Sequence, residues 1–205
     1  IASMFLAGRK ANELGHPAVL DPVGAGASDL RTDTARRLLE EIRFAVVRGN
    51  ISEMKTLAAG AGTTKGVDAD VADRVTEENL DQAVAFAKEF ASRYNTVAAI
   101  SGALDIVADG ERAYVIRNGH PVMAQITGSG CMLTAMTAAY VTANREHPLE
   151  AAAAAFCAMG ISGERAYERM RRENGGNASF RTYLIDEVYK MDGQVLMREA
   201  KYEVR

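Results

Sequence analysis

Three short apolar runs, Ala18-Val19-Leu20, Phe44-Ala45-Val46-Val47 and Val97-Ala98-Ala99-Ile100, constrain this chain more than any other feature. Each is too short for a helix and offers no polar residue to water, so each reads as a strand buried on both faces. The segments between them carry helical spacing. Ile1 to Leu14 predicts a helix ending near Gly15, and Thr32 to Ile42 predicts another, capped by Thr32 or Asp33 with Leu38, Leu39 and Ile42 on its apolar face. Glu77 to Tyr94 predicts a third through Leu80, Val84, Phe86, Ala87 and Phe90. Such alternation implies a parallel sheet covered on both faces. Asp105-Ile106-Val107-Ala108 and Ala113-Tyr114-Val115-Ile116, with turns at Asp109-Gly110 and Asn118-Gly119, then read as an antiparallel meander at one edge. The remainder reads as helix: Cys131 to Asn144, Pro148 to Arg172 and, after the loop Asn174 to Ala178, a last helix from Ser179 to Met191.

A chain of 205 residues with 48% apolar content fills one core and is short for two, so residues 1–205 read as a single domain. Twenty-four basic and 27 acidic residues give a net charge of -3 without a basic stripe, which argues against nucleic acid and membrane partners. Cys131 and Cys157 are too few for a disulfide framework and lie in apolar helical segments, so reduced thiols and a cytoplasmic location are expected. The weakly charged stretches are broken or too short to span a bilayer, and the chain opens at Ile1 without a basic-then-apolar leader.

In a parallel sheet, ligands bind beyond the C-terminal ends of the strands, so the residues following each apolar run belong together. They are Asp21, Arg48 with Asn50 and Glu53, Ser101 with Gly102, and the turn at Gly128. In Ile126-Thr127-Gly128-Ser129-Gly130-Cys131-Met132-Leu133-Thr134 a glycine turn opens into a helix, whose free N–H groups form an anion trap beside a thiol. Carboxylates, a guanidinium, a small hydroxyl and an anion trap suit a magnesium-nucleotide site. Each member also has a plainer reading. Asp21-Pro22 can simply start a turn, Asn50-Ile51-Ser52-Glu53 has capping-box spacing, Arg48 can be a surface arginine, and Ser101-Gly102 can close a strand. His16, His120 and His147 sit beside proline or in turns and read as loop residues. Gly60-Ala61-Gly62-Thr63-Thr64-Lys65 lacks the ending of a Walker loop, and no dinucleotide glycine pattern, nucleophile elbow or zinc spacing is present.

Four motifs taken in order, Asp21-Pro22-Val23-Gly24-Ala25-Gly26, Arg48-Gly49-Asn50-x-x-Glu53, Lys65-Gly66-Val67-Asp68 and Thr127-Gly128-Ser129-Gly130-Cys131, resemble the hydroxyethylthiazole kinase family. The similarity extends to Gly176-Asn177-Ala178-Ser179-Phe180, where the family often has a Gly-Pro-Gly-Ser-Phe version. The resemblance implies a ribokinase-like α/β fold, a three-layer α/β/α sandwich whose mostly parallel sheet has an antiparallel edge. It implies phosphorylation of the primary alcohol of 4-methyl-5-(2-hydroxyethyl)thiazole in thiamine biosynthesis, with ATP and magnesium. By the same resemblance Arg48 and Ser101 contact ATP, and Asn50 and Glu53 organise magnesium through water with Asp21 in the same acidic cluster. Gly128 contacts the thiazole, the amides of Gly128, Ser129 and Gly130 form the anion hole, and Cys131 accepts the alcohol proton where most ribokinase-like enzymes carry aspartate. The family further implies a homotrimer with active sites between subunits, and an N-terminal segment with an additional strand that is missing from this chain.

Three alternatives stand beside this. A hydroxymethylpyrimidine or pyridoxine kinase, or a related ATP-dependent hydrate dehydratase, keeps the fold and changes the substrate. A thiol hydrolase would use Cys131 as nucleophile and needs His120 or His147 within reach. A non-catalytic nucleotide-binding remnant would bind ATP without turnover.

Overall fold

The computed structural model describes residues 1–59 and 74–205. The Lys65-Gly66-Val67-Asp68 motif and the Walker-like stretch ending at Lys65 lie outside the described residues. In chain order the elements are α1 (Ala2–Glu13), β1 (Val19–Leu20), α2 (Asp29–Glu41), β2 (Val46–Asn50), α3 (Ile51–Ala58), α4 (Leu80–Tyr94), β3 (Val97–Ser101), β4 (Asp105–Ala108), β5 (Ala113–Ile116), α5 (Ser129–Ala143), α6 (Pro148–Arg172), α7 (Asn177–Tyr189), α8 (Gly193–Glu199) and β6 (Tyr202–Val204). A short 3₁₀ turn over Pro121–Gln125 precedes α5.

The strands are apolar on both sides because each side feeds a separate core. Val47, Ala98, Ile100, Ile106, Ala108 and Val115 pack into one core with Phe5, Leu38, Met54 and Phe90 of α1 to α4. Their neighbours Val46, Val97, Ala99, Val107 and Ile116 pack into the other with Leu133, Phe156 and Phe180 of α5 to α7. The period-two alternation of a strand thus divides its side chains between two helical layers, giving the expected three-layer sandwich. The sheet runs β1-β2-β3-β4-β5-β6 in order, with β1, β2 and β3 parallel and the remaining pairs antiparallel. The meander read from the sequence is therefore β4 and β5, and Asp109 closes its turn by accepting the N–H groups of Glu111 and Arg112.

Some boundaries differ from the sequence reading, each for a local reason. Helix α2 begins at Asp29, and Thr32 lies inside its first turn, where its hydroxyl donates to the Ser28 carbonyl and accepts the Gly26 N–H. The helix beginning at Asn177 is not the last: Asp192 caps α8 through the Val195 N–H at 2.8 Å, and β6 follows as an added edge strand on β5. Asn118, read only as part of a turn, is 5% exposed and fastens that C-terminal strand. Its Nδ2 donates to the Glu199 carbonyl, and its Oδ1 accepts the Lys201 N–H.

Helix α6 runs through the second core, and Gly160 is where it meets the backbone after β5. A methyl group there would lie 2.6 to 2.7 Å from the Cβ, carbonyl carbon and carbonyl oxygen of Asn118, with backbone that cannot swing aside. Gly160→Ala is therefore expected to destabilise by about 1–3 kcal/mol, although alanine is the better helix former. Gly193→Ala at the start of α8, where nothing lies within 4 Å, is the matched control and should leave the thermal midpoint unchanged or raised. Thermal unfolding of both variants checks this, and equal midpoints would refute the close-approach account.

Candidate active site

The parallel register brings Asp21, Arg48 and Ser101 to one end of the sheet. Arg48 pairs with Ala99, and Asn50 pairs with Ser101, while Asp21 directly follows β1. The Arg48 guanidinium is buried, with 9% of the residue exposed. Its Nη2 donates to Ser101 Oγ at 2.7 Å, and its Nη1 reaches Asp21 Oδ2 at 3.4 Å. Asp21 Oδ2 also accepts a 2.5 Å bond from Thr134 Oγ1 on α5. Among the described residues, two buried atoms of this group have no hydrogen-bond partner, Asp21 Oδ1 and Arg48 Nε. Arg48 is therefore not a surface arginine, and Asp21, which precedes a turn as its sequence allows, also turns its carboxylate toward the guanidinium.

Helix α5 starts against the guanidinium. Gly128 caps it with φ 97, a left-handed conformation that glycine adopts without strain, and no side chain caps the helix. The first helical bond runs from Met132 N to the Gly128 carbonyl, so the N–H groups of Ser129, Gly130 and Cys131 precede the intrahelical ladder. A methyl group at Gly130 would lie 3.0 Å from Arg48 Nη1, so the missing side chain is what lets guanidinium and helix start sit together. Ser129 Oγ donates to the Met123 carbonyl at 3.2 Å and ties this turn to the 3₁₀ segment before it. Cys131, at the third position of the helix, is exposed.

Asn50 and Glu53 form the capping box that their spacing allows. Asn50 Oδ1 accepts the Glu53 N–H, and Glu53 Oε2 accepts the Asn50 N–H. Glu53 does more than cap, because its Oε1 accepts the Gly24 N–H at 3.0 Å and so holds the Asp21-to-Gly26 loop against α3. Each oxygen keeps a lone pair for a further donor or cation.

Two residues without a role in the sequence reading join the site. Thr134 was visible only as a residue of the glycine-turn motif. Asp105, which opens β4, accepts the Gly102 N–H at 2.8 Å and so closes the turn after Ser101. Burial pushes the Asp105 carboxyl up to about 7, against the opposing pull of the Gly102 bond and of Arg48. Burial, and secondarily the neighbouring Asp105, also pushes the Cys157 thiol up to about 12. The histidines take other roles. His120 stacks on Tyr167 with ring centroids 3.5 Å apart, and its Nδ1 accepts the Val122 N–H. His147 follows the far end of α5, about 20 Å along the helix axis from Cys131.

Comparison with known proteins shows the family of this chain. A model of the hydroxyethylthiazole kinase family matches residues 1–194. A hydroxyethylthiazole kinase of Clostridium acetobutylicum is 57% identical over 203 residues, covering 99% of this chain and 74% of that protein. One of Methanobrevibacter smithii is 39% identical over 210 residues, covering 100% of this chain and 72% of that protein. Among solved structures, a hydroxyethylthiazole kinase protein from Pyrococcus horikoshii OT3 superposes with a TM-score of 0.84 at 34% identity, covering 100% of this chain and 71% of that one. Pyridoxal kinase from Staphylococcus aureus shares the fold, with a TM-score of 0.53 at 21% identity over 78% of this chain and 56% of that one.

The raised Asp105 carboxyl has a consequence for stability. Its folded-state value of about 7 lies above the ordinary 3.8, so folding takes up a proton between these limits. The contribution is neutral below the ordinary value, grows unfavourable as pH rises from there toward about 7 and is level above it. Asp105→Asn keeps an acceptor for the Gly102 N–H and removes the charge. The variant is expected to melt above the parent at pH 8 by a few degrees, with the difference vanishing near pH 4. Thermal scans across that range check it; a variant less stable than the parent at pH 8 would contradict the burial account.

Proposed function

This chain belongs to the hydroxyethylthiazole kinase family, and from that membership we propose that it transfers the γ-phosphoryl group of ATP to the primary alcohol of the hydroxyethylthiazole, a step in thiamine biosynthesis or salvage. The observation that carries the proposal is the Arg48 guanidinium, held by Asp21 and Ser101 against the uncapped N-terminus of α5, two residues from an exposed thiol. That is a phosphate receptor built beside a proton acceptor.

Arg48 and Ser101 would hold ATP, with the guanidinium and the N–H groups at the start of α5 sharing the charge of the transferring group. Gly128 would meet the acceptor at the turn, and the backbone over Gly128, Ser129 and Gly130 would serve as the anion hole. Cys131 would take the proton of the attacking hydroxyl while the hydroxyl oxygen bonds to the γ-phosphorus and ADP departs. The donor set also fits Mg²⁺. Carboxylate oxygens suit that ion, Asp21 Oδ1 is a buried acceptor with no partner, and the Glu53 oxygens retain unused lone pairs. Among the described residues no cluster of three His, Cys, Asp or Glu side chains forms a ready cage. Asp21, and Asn50 with Glu53 through water, would therefore hold the ion jointly with the phosphates, where it neutralises charge.

We read residues 1–205 as one domain acting on small molecules as a homotrimer with active sites between subunits. Exposed Ile1, Met4, Leu6 and Leu14 at α1 supply apolar area for an assembly to cover. Both cysteines are free thiols, which supports a cytoplasmic setting, and among the described residues no helix is long and apolar enough to cross a membrane. A Cys131 thiol hydrolase lacks support, because neither His120 nor His147 is hydrogen-bonded to that thiol among the described residues. A pyrimidine or pyridoxine acceptor would use the same phosphate site, and the test below separates these substrates.

ADP release is measured with Mg-ATP and, separately, hydroxyethylthiazole, hydroxymethylpyrimidine, pyridoxine and no acceptor. Release that depends on the thiazole is expected, and preference for another alcohol would move the substrate while keeping the reaction. Release without any acceptor, or none at all, would overturn the reading. For the proton acceptor, Cys131→Ala should lower kcat by about 10- to 100-fold, while Cys131→Asp retains or improves turnover. Equal turnover of the alanine variant and the parent would remove Cys131 from proton transfer.

A further inference from the structure

Thr134 lies in the second turn of α5, and its hydroxyl faces two acceptors. Asp21 Oδ2 is 2.5 Å away and the Gly130 carbonyl oxygen is 3.2 Å away. A threonine hydroxyl has one proton, and the usual partner in a helix is the carbonyl four residues back. Here the carboxylate is much closer and charged, so it takes the proton. The bond joins residues 113 positions apart and is the direct side-chain link between the end of β1 and the first turns of α5.

Asp21 depends on that link. Among the described residues its other partner, Arg48 Nη1, stands at 3.4 Å, the long end of a hydrogen bond, and the buried Oδ1 has none. Without the threonine proton, the carboxylate could turn to give Arg48 a shorter contact and spend both oxygens on it. With the proton in place, Oδ2 is engaged and Oδ1 stays uncommitted. The same contact holds Gly130, and with it the free N–H groups of the helix start, at a fixed distance from Asp21.

We propose that Thr134 is a positioning residue for phosphoryl transfer: it locks the Asp21 carboxylate with Oδ1 open and sets the α5 N-terminus against it. The inference rests on the kinase reading above and deepens it. Thr134 touches no reacting atom in this account, so its loss acts through the arrangement of the phosphate site.

The test compares Thr134→Val, which keeps the shape and removes the hydroxyl, with Thr134→Ser, which keeps the hydroxyl. Thr134→Val is expected to lower kcat by about 10- to 100-fold with the acceptor KM within about twofold of the parent, and Thr134→Ser to restore kcat to within about threefold. Affinity for ATP by calorimetry, with and without Mg²⁺, is a second readout that needs no acceptor. The gain in affinity on adding Mg²⁺ should shrink in the valine variant and persist in the serine variant. Parent-like kcat and parent-like Mg²⁺ dependence in Thr134→Val would overturn the proposal, as would a serine variant no better than valine. Failure of the kinase reading appears separately, as a parent without acceptor-dependent ADP release, and the calorimetric comparison still decides the role of Thr134.

Discussion

A buried guanidinium that its own protein only partly neutralises is the constraint on which the functional end of this molecule depends. Taking an arginine out of water costs several kcal/mol, and attraction to a partner offsets that only with good geometry. Among the described residues Arg48 has one short bond, to a neutral hydroxyl, one long contact to a carboxylate, and an Nε without a partner. Such a cation is held in place by packing and remains receptive to an anion. The parallel pairing of β1, β2 and β3, the small side chain at position 101 and the absence of a side chain at Gly130 can each be understood from the need to keep this group both buried and reachable.

The two glycine-rich loops show how little a glycine pattern says by itself. Between Asp21 and Ala27 every N–H from Gly24 onward is used internally: Gly24 by Glu53, Ala25 by the Pro22 carbonyl, Gly26 by Thr32 and Ala27 by the Gly24 carbonyl. The backbone from Gly24 to Ala27 therefore keeps no N–H group for a phosphate. At Gly128 the donors of the helix start stay ahead of the ladder and uncapped. An anion hole is defined by unspent N–H groups, which turn composition cannot reveal.

The layered fold was legible in the sequence because strands buried on both faces have no polar side to hide. Helix α6 keeps the bounds read from Pro148 and the basic last turn, and the meander follows from its two turns. The capping box at Asn50 was also readable, since it is a local pattern. Missed elements are short or non-local. Strand β6 alternates Lys201, Tyr202, Glu203, Val204 and Arg205, a period-two signal too brief to stand without its partner β5. Thr134 and Asp105 escaped for a stronger reason. Thr134 matters through a contact to Asp21 across 113 positions, and Asp105 through its burial near Arg48, and no spacing rule reaches either.

The two cysteines complete the physical distinction between site and core. Both sit on helices in apolar sequence, and their chemistry differs through surroundings alone. Cys157 lies within α6, 3% exposed, where burial and the nearby Asp105 push its thiol up to about 12 and keep it protonated. Cys131 is exposed at a helix start, with the uncapped N–H groups and a guanidinium on the same side of the molecule. The helix start that carries Cys131 lies against the Arg48 guanidinium and is tied to Asp21 through Thr134, so a change that displaces α5 from Asp21 alters the surroundings of the thiol and the guanidinium together.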